Sequence, residues 1–537
     1  MSSKLKITGF CLFFLFSFLA ATQVAQAQDV QGNMMKFGRL LRLIESYYVD
    51  TTNIDKLTEG AITDMLSKLD PHSVYISKEE VEKMNEPLQG SFEGIGISFN
   101  ILKDTLMVVT IIPGGPSEKV GLLPGDRIMV IDGKTVAGTG LKNSDVMSML
   151  RGDKGTKVNL KVMRKRHADW LDFTIIRDKI PINSLDASYM LDDETGYIKL
   201  NRFSATTTDE FLAAIKELKT KPGFRNLVLD LRGNGGGYLK AAIDLADHFL
   251  GAYRLVVYTE GVHDKRKDYM ATALGEFEQG KLVVLIDEGS ASASEIVAGA
   301  VQDWDRGLVV GRRSFGKGLV QQPFPLTDGS VVRLTTAHYY TPSGRCIQKP
   351  YENGVEEYRK DYLTRFETGE LFSEDSIHFD ETKLYETLKN KRPVYGGGGV
   401  MPDIFVPMDT SANYAYFNQL IRKNILYSNV LTYMDANREK LSKKYADFNT
   451  FNLKFDVDEV IIEKMIAEAD QEKIEKDEAS VAFARPLIKK QVKALLARDL
   501  FGAGYYYQVI NQEEEIIQKA LEVLKNASHY EKLLVEK

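Results

Sequence analysis

The chain has 537 residues, 44% of them hydrophobic, two cysteines and a formal net charge of −6. That length and apolar content predict a folded protein of three or four domains at roughly 100–200 residues each. The acidic balance, with no basic stripe interleaved with aromatics, argues against a nucleic-acid partner, and two cysteines leave no cysteine-based metal cluster.

In chain order, the first predicted element is a signal peptide over residues 1–27. Lys4 and Lys6 precede an apolar run from Phe10 to Leu19, and Ala25-Gln26-Ala27 is a small-x-small cleavage signal. The expectation is an exported protein of the periplasm or cell envelope, maturing at Gln28. An uncleaved anchor that keeps it membrane-associated is the alternative. Cys11 leaves with the leader, so Cys346 stands alone in the mature chain and forms no intramolecular disulfide.

Residues 28–88 read as an N-terminal helical region. Phe37, Leu40, Leu41, Ile44 and Tyr48 recur at helical spacing. Asp70-Pro71-His72-Ser73 stops the pattern, and Ser77 with Glu80 makes a capping box. The region shows no chemistry and is packing or an oligomer surface. Residues 89–178 change to short strands between Gly/Pro turns, predicted at 96–101, 106–112, 127–131, 157–163 and 171–176, with a helix over 142–150. Two strings stand out: Gly94-Ile95-Gly96-Ile97, a glycine loop entering a strand, and Gly115 to Ile128, a small helix running through a turn into a strand.

Residues 179–408 alternate strand and helix, which predicts an α/β core with active groups at the carboxyl ends of strands. Strands are expected at 195–200, 226–231, 282–287 and 308–311, and helices at 207–219, 238–250 and 293–303. Residues 351–400 read as an irregular charged insertion. Residues 409–537 read as an appended helical domain, because apolar residues such as Leu495, Leu496, Leu500 and Phe501 persist at helical spacing.

The chemistry concentrates in the core. Gly233-Asn234-Gly235-Gly236-Gly237 follows a buried strand but has neither the Walker A nor the dinucleotide spacing. Amides at a helix start suit an oxyanion instead. Gly236 or Gly237 supplies one donor and Ala293 the other. Ser290, Ser292 and Ser294 compete as nucleophile, and Ser292 stands at the mouth of the expected 293–303 helix. Lys317 follows 25 positions after Ser292, between two glycines. A lysine serves as base only where its surroundings lower its pKa from about 10.4 towards neutrality, and Phe315, Leu319 and Val320 are apolar neighbours of the kind required. Glu295 is assigned no catalytic role. No histidines pair at metal-ligand spacing, so neither metal nor cofactor is expected.

The two strings in 89–178 resemble a PDZ domain, which holds a terminal carboxylate on loop amides, here those of Ile95, Gly96 and Ile97. The whole pattern resembles the carboxyl-terminal processing peptidases, or tail-specific proteases, over about residues 35–350 plus 400–406. The resemblance rests on Leu69 to Ser73, the PDZ strings, Asp230 to Gly237, Gly289 to Ile296, Phe315 to Gln321 and Gly344 to Gln348. It implies a multidomain α/β protein with a crotonase-like protease core, an inserted PDZ domain, N-terminal helices and a C-terminal helical extension. It implies Ser292 as nucleophile, Lys317 as general base and Gln321 as the residue orienting the lysine, on its side if the segment is helical. The implied substrates are proteins with free apolar C-termini. A homo-oligomer through the helical regions and an adaptor or activator protein stay open as further partners. Arg151 is expected to contact the Lys317–Gln321 segment and couple tail binding to the dyad. A PDZ adaptor on an inactive scaffold and a crotonase-like thioester enzyme are competing readings. The retained Ser292, Lys317 and Gln321 weigh against the first, and the leader with the PDZ domain against the second. A Ser-His-Asp hydrolase using His248 or His338 lacks the Gly-x-Ser-x-Gly elbow.

Overall fold

The structure, a computed structural model, describes residues 30–165, 167–378, 380–409 and 414–535. The expected leader lies outside the described residues. Among these, no helix is long and apolar enough to cross a membrane. The chain divides into two compact units, Met1–Tyr75 and Ile76–Lys537.

In the first unit, residues 30–47 are helical, and a second helix covers Ile54–Ser67. Asn53 caps the second helix by accepting the Lys56 amide at 2.9 Å. The expected stop is a side-chain turn in which Asp70 Oδ1 accepts the amides of His72 and Ser73 at 2.7 and 2.8 Å. Val30, Met34, Leu40 and Leu43 on the first helix are exposed.

The second unit is built around a sheet ordered Leu185–Met190, Thr195–Leu200, Asn226–Asp230, Lys281–Ile286, Leu308–Gly311 and Ile404–Phe405. The first pair is antiparallel and the rest are parallel. Parallel strands need cover on both faces. Leu227, Leu229, Leu282, Val284 and Ile286 point to one face, under helices Thr207–Leu218, Leu239–Asp247 and Ala293–Asp303. Val228, Val283, Leu285 and Val310 alternate to the other face. There they meet Ile516, Ile517, Ala520 and Tyr530, from helices Glu515–Lys525 and Ala527–Val535. The tail is therefore not one appended domain. Residues 415–510 form helices with their own core, including Leu420, Val430, Ile462, Ile488 and Leu496, whereas residues 515–535 are a layer of the central sheet.

Residues 351–400 also differ from expectation. They contain a helix, Val355–Glu367, and a hairpin of Leu384–Glu386 with Pro393–Tyr395. A separate antiparallel arrangement joins Val331–Tyr340 to both Leu255–Glu260 and Leu319–Pro325.

The β-rich region orders its strands as Ile97–Leu102, Thr105–Ile111, Arg127–Ile131, Lys157–Met163 and Leu171–Ile176. Their core includes Val108, Ile128, Val158, Val162 and Ile175, with Val146 and Leu150 from helix Asn143–Leu150. The chain enters and leaves this domain through an antiparallel ribbon of Ser91–Gly94 with Asp178–Pro181. One side rests on helix Ile425–Lys444, where Met107 and Val109 pack with Leu431 and Tyr427. Arg127 pairs there with Asp435 at 2.9 Å.

Candidate active site

The turn after strand Lys281–Ile286 separates the three serines by what their hydroxyls do. Ser290 is buried; its Oγ donates to Leu231 O at 2.9 Å and accepts the Asp287 amide at 3.0 Å. Ser294 is buried and donates to Asn234 O at 2.8 Å. Ser292 is half-buried and caps the Ala293–Asp303 helix at φ +55°, ψ −110°. Such a backbone costs on the order of 1–3 kcal/mol and persists where its surroundings over-determine it. Here the Ser292 amide donates to Glu295 Oε2 at 2.7 Å, and its carbonyl accepts the Tyr339 hydroxyl at 3.0 Å.

Glu295 joins this turn to the lysine loop. The same Oε2 accepts the Lys317 amide at 2.9 Å, and Oε1 accepts the Gly316 amide at 2.7 Å and the Ser314 hydroxyl at 2.5 Å. Burial pushes the Glu295 pKa up to about 6, against these donors, the Ser314 hydroxyl foremost, which favour the ionised form. Sequence reasoning gave this glutamate no role. The signal was present as a capping-box acid three residues after Ser292.

The glycine strip lies against the serine turn. A side chain on Gly236, at φ +98°, would come within 2.9 Å of Ser292 Cβ and 3.0 Å of the Ala293 nitrogen. Gly237, at φ +151°, would drive one into Phe203 O. Asn234 stitches the strip to the turn, with its carbonyl accepting the Ala291 amide at 3.0 Å. Its Oδ1 accepts the Gly236 amide at 2.9 Å. That bond corrects the expectation for Gly236, whose N–H is already committed. Gly237 and Ala293 are left as the oxyanion candidates. Below the strip, Asp230 is fully buried. Burial opposes its ionised form, but Arg232 and Lys199 beside it hold its carboxyl below the usual range.

Gln321 lies in strand Leu319–Pro325, so the helical geometry entertained for it does not apply. A bulge falls between Val320 and Gln321, and Gln321 Nε2 donates to Thr335 Oγ1 at 3.3 Å. His248 stacks on Phe211, with ring centroids 5.9 Å apart, and His338 lies 3.8 Å from Cys346 Sγ. Among the described residues, no three His, Cys, Asp or Glu side chains converge as metal ligands would.

In the β-domain, Ile95 O accepts the amide and hydroxyl of Ser117 at 3.1 and 2.6 Å. Gly96 O accepts the Ile112 amide at 3.0 Å. Gly96 has φ +75°, and a side chain there would meet Ile180 Cδ1 at 3.0 Å. Ile97 opens the strand at the edge of the sheet. Arg151 does not bridge to the lysine–glutamine segment as expected. Its Nη1 donates to Glu86 Oε2 at 2.6 Å and its guanidinium lies 4.6 Å from the Phe92 ring centroid. An acid and an aromatic ring beside the ribbon satisfy it locally.

Residues 194–357 match the family model for peptidase family S41, and residues 94–175 the PDZ domain. Residues 18–80 match the activating protease CtpB N-terminal domain, and residues 416–502 a family of unknown function. The carboxy-terminal-processing protease of Bartonella bacilliformis is 35% identical over 429 residues, 76% of this chain and 95% of that protein. The carboxy-terminal processing protease CtpB of Bacillus subtilis is 37% identical over 334 residues, 62% of this chain and 69% of its own length. A solved photosystem II D1 C-terminal processing protease is 31% identical, with 58% of this chain and 89% of that one covered at a TM-score of 0.34. A serine turn braced to a lysine loop, a glycine strip and a PDZ domain thus occur in a chain that belongs to the carboxy-terminal processing proteases, serine peptidases of family S41.

Proposed function

We propose that this protein cleaves protein substrates by a Ser292–Lys317 dyad, through an acyl-enzyme, after its PDZ domain has taken hold of a free apolar C-terminus. Neutral Lys317 Nζ takes the proton of the Ser292 hydroxyl as its oxygen attacks the scissile carbonyl. The amides of Gly237 and Ala293 receive the oxyanion, each such donor being worth on the order of 3 kcal/mol. Collapse breaks the C–N bond, and the Lys317 ammonium returns its proton to the leaving amine. Water then repeats the sequence on the acyl-Ser292 ester and releases a carboxylic acid. Gln321, four residues after Lys317, orients the lysine, a role implied by the resemblance to the family. The observation that carries the reading is the single Glu295 oxygen that accepts the amides of both Ser292 and Lys317.

The PDZ reading rests on the loop ahead of an edge strand, where Gly96 takes the left-handed φ of +75° that turns the backbone and the amides of Ile95, Gly96 and Ile97 receive the carboxylate. The leader supports export to the envelope, and the mass of the mature chain, starting at Gln28 or not, tests it. For the function, the mature protein is incubated with a reporter protein ending in a free apolar tail, beside the same reporter with the tail amidated. Faster cleavage of the free-acid form, abolished in Ser292→Ala, is expected. Equal rates on both forms contradict tail reading, and cleavage by Ser292→Ala contradicts the nucleophile.

A further inference from the structure

Helix Val355–Glu367, in the segment expected to be irregular, lies against the loop that delivers Lys317. Arg365 on this helix is only 3% exposed. Its Nη1 donates to Arg313 O at 3.2 Å and to Ser314 O at 2.8 Å, and its Nη2 donates to Phe315 O at 3.3 Å. Asp361, one turn earlier, lies 3.0 Å from Arg365 Nε and also holds Lys349 Nζ at 2.9 Å. The Lys349 ammonium sits 3.9 Å from the Phe315 ring centroid and 4.2 Å from that of Tyr358.

A backbone accounting of residues 313–318 shows what this arrangement does. Phe315 donates to Ser290 O at 2.9 Å, and Gly318 donates to Gln348 Oε1 at 2.8 Å. The amides of Gly316 and Lys317 belong to Glu295. Gly316 O accepts the Lys349 amide at 3.0 Å. The carbonyls of the three residues before Gly316 are the part that Arg365 takes. A planar guanidinium can fork over successive carbonyls while remaining charged, and Asp361 is the partner that makes its burial tolerable. Glu295 thus grips the loop by its amides from the serine side, and Arg365 grips it by its carbonyls from the far side.

We propose that Arg365 is a positioning residue for catalysis, and that the 355–367 helix is a brace that sets where Lys317 stands relative to Ser292. The inference rests on Lys317 being the base. Misplacing a reacting group by about 1 Å costs roughly 100-fold in rate, so the loss falls on kcat and leaves tail capture by the PDZ domain alone.

The test uses the full mature enzyme and a reporter protein with a free apolar tail, measuring kcat and KM separately. Arg365→Met is expected to lower kcat roughly 10- to 100-fold, with KM held within about twofold. Arg365→Lys recovers part of that loss, since an ammonium reaches some of the carbonyls but cannot fork over all of them. Asp361→Asn, which removes the orienting charge, gives a smaller loss in kcat. Arg359→Ala, on the exposed side of the same helix, behaves as the parent. If Arg365→Met does not fold, Arg365→Lys and Asp361→Asn decide. Folded variants that turn over at the parent kcat, or that change KM alone, overturn the proposal. Lys317→Ala, run in parallel, separates the two ideas. Turnover retained there removes the lysine base, whereas a dead Lys317→Ala beside unimpaired Arg365 variants removes only the brace.

Discussion

Glu295 Oε2 accepts the amides of both Ser292 and Lys317, so replacing that oxygen by a donor sets two N–H groups against a third. Glu295→Gln is expected to lower turnover more than tenfold and stability by about 1–3 kcal/mol, the cost of buried polar groups left unpaired. Assay of the folded variant checks this, and parent-like kcat contradicts it. The carboxyl also leaves a pH signature. Its pKa is about 6 in the fold against the ordinary 4.5 of a glutamate. Between these values the folded state holds the proton more tightly, so stability falls as pH rises through the window, by about 2 kcal/mol in all. Thermal melts at intervals from pH 4 to 7 should show the parent losing stability relative to Glu295→Gln as pH rises through this window. At this scale the sequence carried the identity of the serine cluster but not the choice within it. Ser290 and Ser294 are withdrawn by buried hydrogen bonds whose partners, Leu231 and Asn234, lie some 60 positions away. The committed amide of Gly236 was hidden for a different reason: its partner Asn234 is only two positions away, but nothing in a glycine run says that a neighbouring asparagine side chain will occupy one of its donors.

Elements with a clean period were legible. Strands Arg127–Ile131, Lys157–Met163 and Thr195–Leu200 and helix Ala293–Asp303 begin and end where alternation and turn residues place them. Strand Leu319–Pro325 was missed because its Gln321-Gln322 pair breaks the alternation at a bulge. The last helices were seen as helices but assigned to the wrong layer. An amphipathic stripe shows that a face is covered and is silent on what covers it. Because Ile517 packs on the central sheet, Ile517→Ala should cost about 2–5 kcal/mol, as other large-to-small core changes do. Removing residues 515–537 should leave the core unfolded. Urea titration measures the first effect and circular dichroism the second. A stable, active truncated enzyme contradicts the assignment.

Across the whole second unit, the PDZ domain hangs from a two-stranded ribbon and rests on helix Ile425–Lys444. Through this contact the 415–510 region touches the PDZ domain. The Arg127–Asp435 pair is largely buried, with side chains 23% and 19% exposed, so desolvation offsets much of its attraction, and the apolar contact of Leu431 with Met107 and Val109 dominates. Leu431→Asp should release the domain. Hydrogen exchange would then rise in residues 91–94 and 178–181, while strand Lys281–Ile286 stays protected. An unchanged ribbon contradicts the seat. Labelling with a fluorophosphonate probe followed by peptide mapping decides whether Ser292 is the nucleophile and Lys317 its base. The adduct is expected on Ser292 in the parent enzyme. Folded Lys317→Arg should lose most of the labelling rate, since arginine keeps the charge but cannot give up its proton. An adduct on Ser290 or Ser294, or undiminished labelling in Lys317→Arg, would contradict this assignment.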